Sequence, residues 1–213
     1  ELDDRLIPFL HQRFADQPHV TIVHGDILKL DIGDQVLGAD RDRPPIPNPR
    51  YKVIANLPYY ITSAAVRHLL EARPPPERLV LTVQREVAQR MAAPPPAMSL
   101  LALGVQFYCT ARIVGRIPAG AFYPVPKVDS AVVRLDRRAE PAVPGVSADA
   151  FFRIARAGFG QPRKQLRNSL AAGLDVSPAQ VESWLAAAGI APQRRAETLT
   201  LAEWGALARL ISP

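Results

Sequence analysis

The sequence predicts an α/β domain with a largely parallel sheet, followed by a small all-helical domain. Three observations carry that reading. Over the first two thirds of the chain, short apolar runs alternate with segments whose apolar residues recur at helical spacing, the pattern of strand–helix–strand units. Two β-branched runs, at 111–117 and 130–135, come late with no helical pattern between them, which predicts an antiparallel edge. Near residue 139 the texture changes. Residues 139–145 are rich in Pro, Gly and Ala, and everything beyond is helix-patterned. The predicted domains are 1–138 and 147–213, with a linker over 139–146.

The elements follow in order. Leu6, Phe9, Leu10 and Phe14 are spaced for a helix over 3–15, with Asp3 and Asp4 where the helix dipole favours acids and Pro8 near the first turn. Val20-Thr21-Ile22-Val23 reads as a strand ended by His24-Gly25-Asp26. Residues 33–50, with four prolines, read as a loop. Residues 52–55 read as a buried strand. Thr62 or Ser63 is placed to cap a helix reaching Glu71, and Pro74-Pro75-Pro76 ends it. Leu79-Val80-Leu81-Thr82-Val83 is a further buried strand, and Gln84–Met91 opens a helix in which Glu86 and Arg90 are spaced as an (i, i+4) pair. The stretch 99–107 suits a helix, although Leu100-Leu101-Ala102-Leu103 could also be a strand. Four helices follow at about 147–158, 162–172, 177–188 and 200–211, with Ser177-Pro178 and Thr200 as starts and Gly173 and Gly189 at C-termini.

Composition bounds the function. The chain has 213 residues, 48% of them hydrophobic, enough for a substantial core. No apolar run approaches the roughly 20 residues of a membrane helix, so no membrane partner is expected. One cysteine, Cys109, excludes an internal disulfide, reads as a small core residue and fits a reducing cytoplasm. The histidines (His11, His19, His24, His68) and Cys109 lack metal-ligand spacing, so no metal is expected. The net charge is +6, carried by 22 Arg and four Lys. Arginine binds phosphate bidentately and stacks on bases, which suits a nucleic-acid partner.

The chemistry concentrates in Asn56-Leu57-Pro58-Tyr59-Tyr60-Ile61-Thr62, directly after a predicted strand. The Asn56 amide oxygen and the Leu57 carbonyl can both accept hydrogen bonds. Pro58 stiffens the turn, and Tyr59 offers a ring face. Two acceptors beside one aromatic match the exocyclic amine of a nucleobase. The plainer reading is a proline turn with Tyr59 as packing. Glu1, Asp26 and Asn56 all fall at strand carboxyl ends, where open α/β sheets bind ligands. Acids there suit the ribose hydroxyls and adenine amine of an adenosine cofactor. Phe122 begins a stiff Pro-x-Pro loop and could sandwich a flipped base with Tyr59, with Lys127 near phosphate. In the helical segment, Arg163 and Arg167 would share a helix face with Lys164 between them, and Arg194-Arg195 lies further on.

Together these residues resemble the ribosomal RNA adenine dimethyltransferases of the small-subunit type. Glu1-Leu2-Asp3 is similar to the family's acidic ribose motif, Gly25-Asp26-Ile27-Leu28 to its adenine-contacting motif, and Asn56 through Thr62 to its catalytic motif. Gln84-Arg85-Glu86-Val87-Ala88, the segment 122–133 and Arg163 through Leu170 are similar to further blocks. The resemblance covers essentially the whole chain. It implies a Rossmann-like class I methyltransferase fold with a C-terminal helical RNA-binding domain. It implies transfer of methyl groups from S-adenosylmethionine to N6 of two adjacent adenines in the 3′-terminal hairpin of small-subunit ribosomal RNA, with the immature 30S particle as partner and a cytoplasmic monomer as the working form. By position, Glu1 would hold the cofactor ribose, and Asp26 and Ile27 its adenine. Asn56 would line both cofactor and substrate, Asn56 and the Leu57 carbonyl would grip the target amine, and Tyr59 and Phe122 would stack on the base. Lys127, Arg163, Lys164 and Arg167 would face RNA.

Two departures bear on this. The family's Gly-rich turn and first strand should precede Glu1 and are not in this sequence, so the chain as it stands is expected to bind cofactor poorly or not at all. Pro94-Pro95-Pro96-Ala97-Met98-Ser99 replaces a loop that usually carries Gly, Lys and Tyr. The rival readings are a large-subunit ribosomal RNA adenine methyltransferase of the antibiotic-resistance type, and a non-catalytic RNA-binding or assembly factor.

Overall fold

The computed structural model describes residues 1–33 and 50–211. Among them the elements are α1 (Ile7–Arg13), β1 (Lys52–Asn56), α2 (Thr62–Glu71), β2 (Arg78–Gln84), α3 (Arg85–Met91), α4 (Leu100–Tyr108), β3 (Cys109–Ile117), β4 (Ser130–Arg137), α5 (Ala148–Phe159), α6 (Leu166–Leu174), α7 (Pro178–Ala187) and α8 (Leu201–Ile211). The predicted proline-rich loop at 33–50 lies almost wholly outside the described residues. The chain divides into two compact units: Glu1–Tyr51 with Tyr60–Pro76, and Lys52–Tyr59 with Glu77–Pro213.

In the first unit, residues 20–23, predicted as a strand, join no ladder among the described residues. Glu1 lies beside this stretch: its backbone N donates to the Val23 carbonyl at 3.0 Å, and its carbonyl accepts from Gly25 N at 2.9 Å. Helix α1 is shorter than its apolar spacing implies and buries none of its residues. Asp3 does not cap it; its carboxylate takes the Arg5 backbone N–H and guanidinium instead. Helix α2 runs as predicted, but Ile61, not Thr62 or Ser63, occupies the N-cap, without a side-chain bond. Thr62 is buried inside the first turn beside Ala65, Val66, Leu69 and Leu70. The two stretches of this unit are tied together by His68 Nε2 to the Leu30 carbonyl at 2.9 Å and by the Tyr51 hydroxyl, which donates to the Pro74 carbonyl at 2.9 Å.

The second unit holds a four-stranded sheet in the order β1-β2-β4-β3. β1 and β2 are parallel, with Asn56 opposite Thr82. β4 is antiparallel to β3, as the late pair of runs predicts, and also to β2, so among the described residues one of three ladders is parallel and the expected largely parallel sheet is not found there. β2 is central: Leu79, Leu81 and Val83 are fully buried on one face, and the alternation is the period of a half-covered sheet. Leu100–Tyr108 is a helix, settled by Ser99, whose Oγ accepts from Ala102 N at 3.1 Å. Glu86 and Arg90 make no ion pair among the described residues. Cys109 is fully buried, and burial pushes its thiol up to about 11, so it is an inert core group.

The four C-terminal helices form with Ser147 and Ser177 as N-caps. Their core extends into α4: Phe107 packs on Phe151 at 4.7 Å between centroids and on Phe152 at 5.2 Å. The sheet side and the helical side of this unit therefore share apolar packing. Thr200 opens α8 in a reciprocal box, with Glu203 N donating to Thr200 Oγ1 and Thr200 N donating to Glu203 Oε2. Gly189 sits just past α7 with φ +68°, where only glycine is unstrained. Gly173 does not end a helix. It lies inside α6, and a Cβ there would come within 2.6 Å of Ala157 Cα. The absent side chain lets α5 and α6 approach; the chain leaves α6 through Asp175 at φ 55°.

Candidate active site

β1 delivers Asn56 to its carboxyl end, and the next residue anchors the turn: Leu57 N donates to the Thr82 carbonyl of β2 at 3.3 Å. That bond uses the Leu57 donor and leaves its carbonyl without a partner among the described residues, as it leaves the Asn56 side-chain amide. Two acceptors thus stand unspent at one strand end. Tyr59 is the first residue of a single 3-10 turn, and its hydroxyl lies 2.7 Å from Ser130 Oγ. Ser130 is fully buried at the start of β4, paired to both Gln84 and Ile117. The tyrosine ring is pinned by its far end, which leaves its face to the cavity.

Opposite this turn runs the loop between β3 and β4. It begins with a short turn in which Ala121 N and Phe122 N donate to the carbonyls of Pro118 and Ala119. Asp129 closes its base: Oδ1 accepts from Ala119 N at 3.0 Å, and Oδ2 from Arg116 Nη2 at 2.5 Å. Arg85 reinforces the closure, with its backbone N–H on the Asp129 carbonyl at 2.9 Å and its guanidinium 3.8 Å from the carboxylate. Asn56, Leu57, Pro58, Tyr59 and Phe122 all line one cavity of about 320 Å³, and Tyr123, Pro124 and Pro126 complete its wall. Among the described lining residues only the two tyrosines are ionisable. Tyr123 is entirely exposed at the rim. Lys127 is exposed on the same loop but does not line the cavity.

The Arg116 side-chain bonds, then the Ala119 backbone bond, hold the Asp129 carboxyl below its usual range. A depressed folded-state value contributes stability that is complete above the ordinary aspartate pKa of about 3.9 and is lost as pH falls through the lower folded value. In urea denaturation followed from pH 7 to pH 2.5, wild type is therefore more stable than Asp129→Asn near neutrality, and the two converge in acid. A gap that does not change with pH would show that the clamp contributes nothing through charge.

In the first unit, the backbone bonds from Glu1 to Val23 and Gly25 place Glu1 beside the Gly25-Asp26 turn. Glu1 Oε1 accepts from Leu2 N and Asp3 N at 2.8 and 2.9 Å, and these bonds lower its carboxyl pKa, the Asp3 bond most. Asp26 Oδ1 accepts from Leu28 N at 2.9 Å, with Lys29 at 4.0 Å from Oδ2, and Ile27 is half-buried between. Acceptor-rich acids at a turn fit the hydroxyl and amino groups of an adenosine.

The predicted basic helix face does not form. Arg163 and Lys164 sit in the turn before α6, where Lys164 N donates to the Gln161 carbonyl, so Arg163 and Arg167 do not share a helix. Arg167 pairs with Glu182 at 2.5 Å across to α7. Arg194 is committed to Glu203 and Thr198. Sequence reasoning missed Ser130 and Asp129 as supports of the cavity. They stand next to each other in the Lys127-Val128-Asp129-Ser130 stretch, but their partners are far away in the chain. Among the described residues no three His, Cys, Asp or Glu side chains converge, and no helix is long and apolar enough to cross a membrane.

A mixed sheet flanked by helices, with an Asn-Leu-Pro-Tyr turn at a strand end facing an aromatic loop, defines a Rossmann-like class I methyltransferase. Solved structures agree. The 23S rRNA methyltransferase ErmE superposes with a TM-score of 0.69 at 26% identity, over 100% of this chain and 80% of that one. A dimethyladenosine transferase from Plasmodium falciparum gives 0.72 at 22% identity, over 97% and 78%, a likeness of fold. The family model for ribosomal RNA adenine dimethylase matches residues 1–212, and the chain belongs to that family. The protein named ribosomal RNA small subunit methyltransferase A in Dehalococcoides mccartyi strain CBDB1 is 48% identical over 96% of this chain and 67% of its own length. Its counterpart in Anoxybacillus flavithermus is 41% identical over 100% and 72%.

Proposed function

We propose that the chain dimethylates N6 of two adjacent adenines in the 3′-terminal hairpin of small-subunit ribosomal RNA, acting as a monomer on the immature 30S particle in the cytoplasm with S-adenosylmethionine as donor. The observation that carries this is the pairing of two unspent acceptors, Asn56 and the Leu57 carbonyl, with two aromatic rings around one cavity. Bound S-adenosylmethionine supplies an electrophilic methyl on a sulfonium whose leaving group is a neutral thioether. Glu1 fits its ribose hydroxyls, and Asp26 with Ile27 its adenine. Tyr59 and Phe122 hold the flipped base between ring faces. Asn56 Oδ1 and the Leu57 carbonyl accept from the two N6 hydrogens. That pulls electron density back onto a nitrogen otherwise delocalised into the ring and points its lone pair out of the base plane. Pro58 fixes the turn so that both acceptors are in place beforehand. With the donor bound, the lone pair would take up its methyl and the neutral thioether would leave, while Asn56 and the Leu57 carbonyl would hold N6 for that transfer. The surplus proton stays on N6, hydrogen-bonded to Asn56 Oδ1, until water takes it. Among the described residues no carboxylate or imidazole lines the cavity, and this chemistry needs no strong base.

Lys127, Arg163, Lys164 and Arg167 remain our candidates for RNA contact, in a helical RNA-binding domain over 147–213, although the Glu182 pair lowers what Arg167 can offer. The likeness to a 23S rRNA methyltransferase keeps the large-subunit reading as the alternative, while relatives at 41–48% identity carry the small-subunit name. Methyl incorporation from labelled S-adenosylmethionine into unmethylated small subunits, set against naked large-subunit RNA, separates them. Label is expected in the small-subunit RNA as N6,N6-dimethyladenosine. Label confined to the large-subunit RNA would overturn the proposal.

A further inference from the structure

A second groove lies on the helical side of the second unit, and the Asn56 chemistry makes no use of it. It encloses about 410 Å³ and is lined by Arg153 and Arg156 of α5, Gly160 and Gln161 of the following turn, and Ala172 and Gly173 of α6, among others. Among the described residues no acidic side chain lines it. Arg153 and Arg156 are three apart on α5 and so project to one side, both exposed, while Ile154, Ala155 and Gly158 turn to the core. Where the two helices meet, Gly173 packs directly on Ala157, so the floor of the groove is built from small residues. The rim is fixed: Ser169 Oγ, in a fully buried residue, donates to the Gln161 carbonyl at 3.1 Å, and Lys164 N donates to the same carbonyl. The exposed Arg163 and Lys164 continue that rim.

We infer that this groove binds phosphates of the RNA backbone, without reading sequence, through Arg153 and Arg156. Two guanidinium forks over a floor of small residues suit phosphodiester oxygens, which accept bidentate bonds. A rigid groove positions them without the ordering cost of loose surface lysines. The inference rests on the proposed RNA substrate and adds a second contact, which would set the register of the RNA while the base enters the Asn56 cavity.

The test measures binding of unmethylated small-subunit ribosomal RNA across a salt series, by fluorescence anisotropy, with the full chain. Loss of two phosphate contacts in Arg153→Ala/Arg156→Ala lowers the slope of log K against log salt by about 1.4–1.8. Arg153→Lys/Arg156→Lys restores most of that slope. Arg90→Ala/Arg112→Ala, which removes the same charge elsewhere, leaves the slope near wild type. Circular dichroism and the unfolding midpoint confirm that each variant is folded. A double alanine variant with the wild-type slope, or an equal loss in the Arg90/Arg112 control, would overturn the groove while leaving the functional reading intact. A wild-type chain with no affinity for the RNA would overturn both.

Discussion

Asn56→Ala lowers turnover by a factor on the order of 10² to 10³, as removal of one preorganised hydrogen-bonding partner from a polar transition state does. Its RNA affinity stays at the wild-type value. The two readouts separate because Asn56 acts at the amine and not at the RNA backbone. The Leu57 carbonyl alone would still hold one N6 hydrogen, but a single acceptor does not turn the lone pair out of conjugation with the ring or fix its direction. Asn56→Asp keeps an acceptor oxygen at the same place and so retains more activity than alanine. The turn itself survives either change, because Leu57 N remains on the Thr82 carbonyl and β1 remains paired with β2. Single-turnover methylation with saturating RNA, beside anisotropy with the same RNA, makes the comparison. Equal losses in rate and affinity would make Asn56 a structural residue and remove it from the chemistry.

Local signals were the legible ones. The alternation in Leu79–Val83 marks a strand because one face of β2 is buried, and Ser177 and Thr200 open α7 and α8 where their side chains mark helix starts. The Asn56–Tyr59 turn and Phe122 could be picked out singly, since each is a residue type whose chemistry is visible in its letter. Their supports could not. Ser130 reaches Tyr59 across 71 positions of chain, and Asp129 reaches Arg116 and Ala119 only because β3 and β4 pair antiparallel. Such partners are properties of the register. The errors have a related cause. Gly173 looks like a helix stop because glycine usually is one, yet its role is set by Ala157 on another helix. Arg163 and Arg167 share a face only if both are helical, and α6 starts between them.

Phe122→Ala and Tyr59→Ala each cost about 1–3 kcal/mol in kcat/KM, a loss of roughly 5- to 150-fold, the measure of one base–aromatic stack. The two rings reach the cavity by different routes: Tyr59 from β1, pinned through its hydroxyl to Ser130, and Phe122 from a loop closed at its base by Asp129. Tyr59→Phe discriminates between face and hydroxyl. It keeps the stacking surface and loses one hydrogen bond, worth about 0.5–1.5 kcal/mol, so its kinetic effect is much smaller than that of Tyr59→Ala and appears partly as lower stability. Phe122→Leu fills similar space without a π face and should fall close to Phe122→Ala if stacking is the function. Because stacking holds the base in both the ground and transition states, the loss lies mainly in KM, in contrast to Asn56→Ala, whose loss lies in turnover. The double variant loses less than the sum of the singles, since a base released from one ring is already poorly held by the other. A Phe122→Leu variant with wild-type kcat/KM would mean that Phe122 merely packs the loop, and the sandwich would reduce to Tyr59 alone.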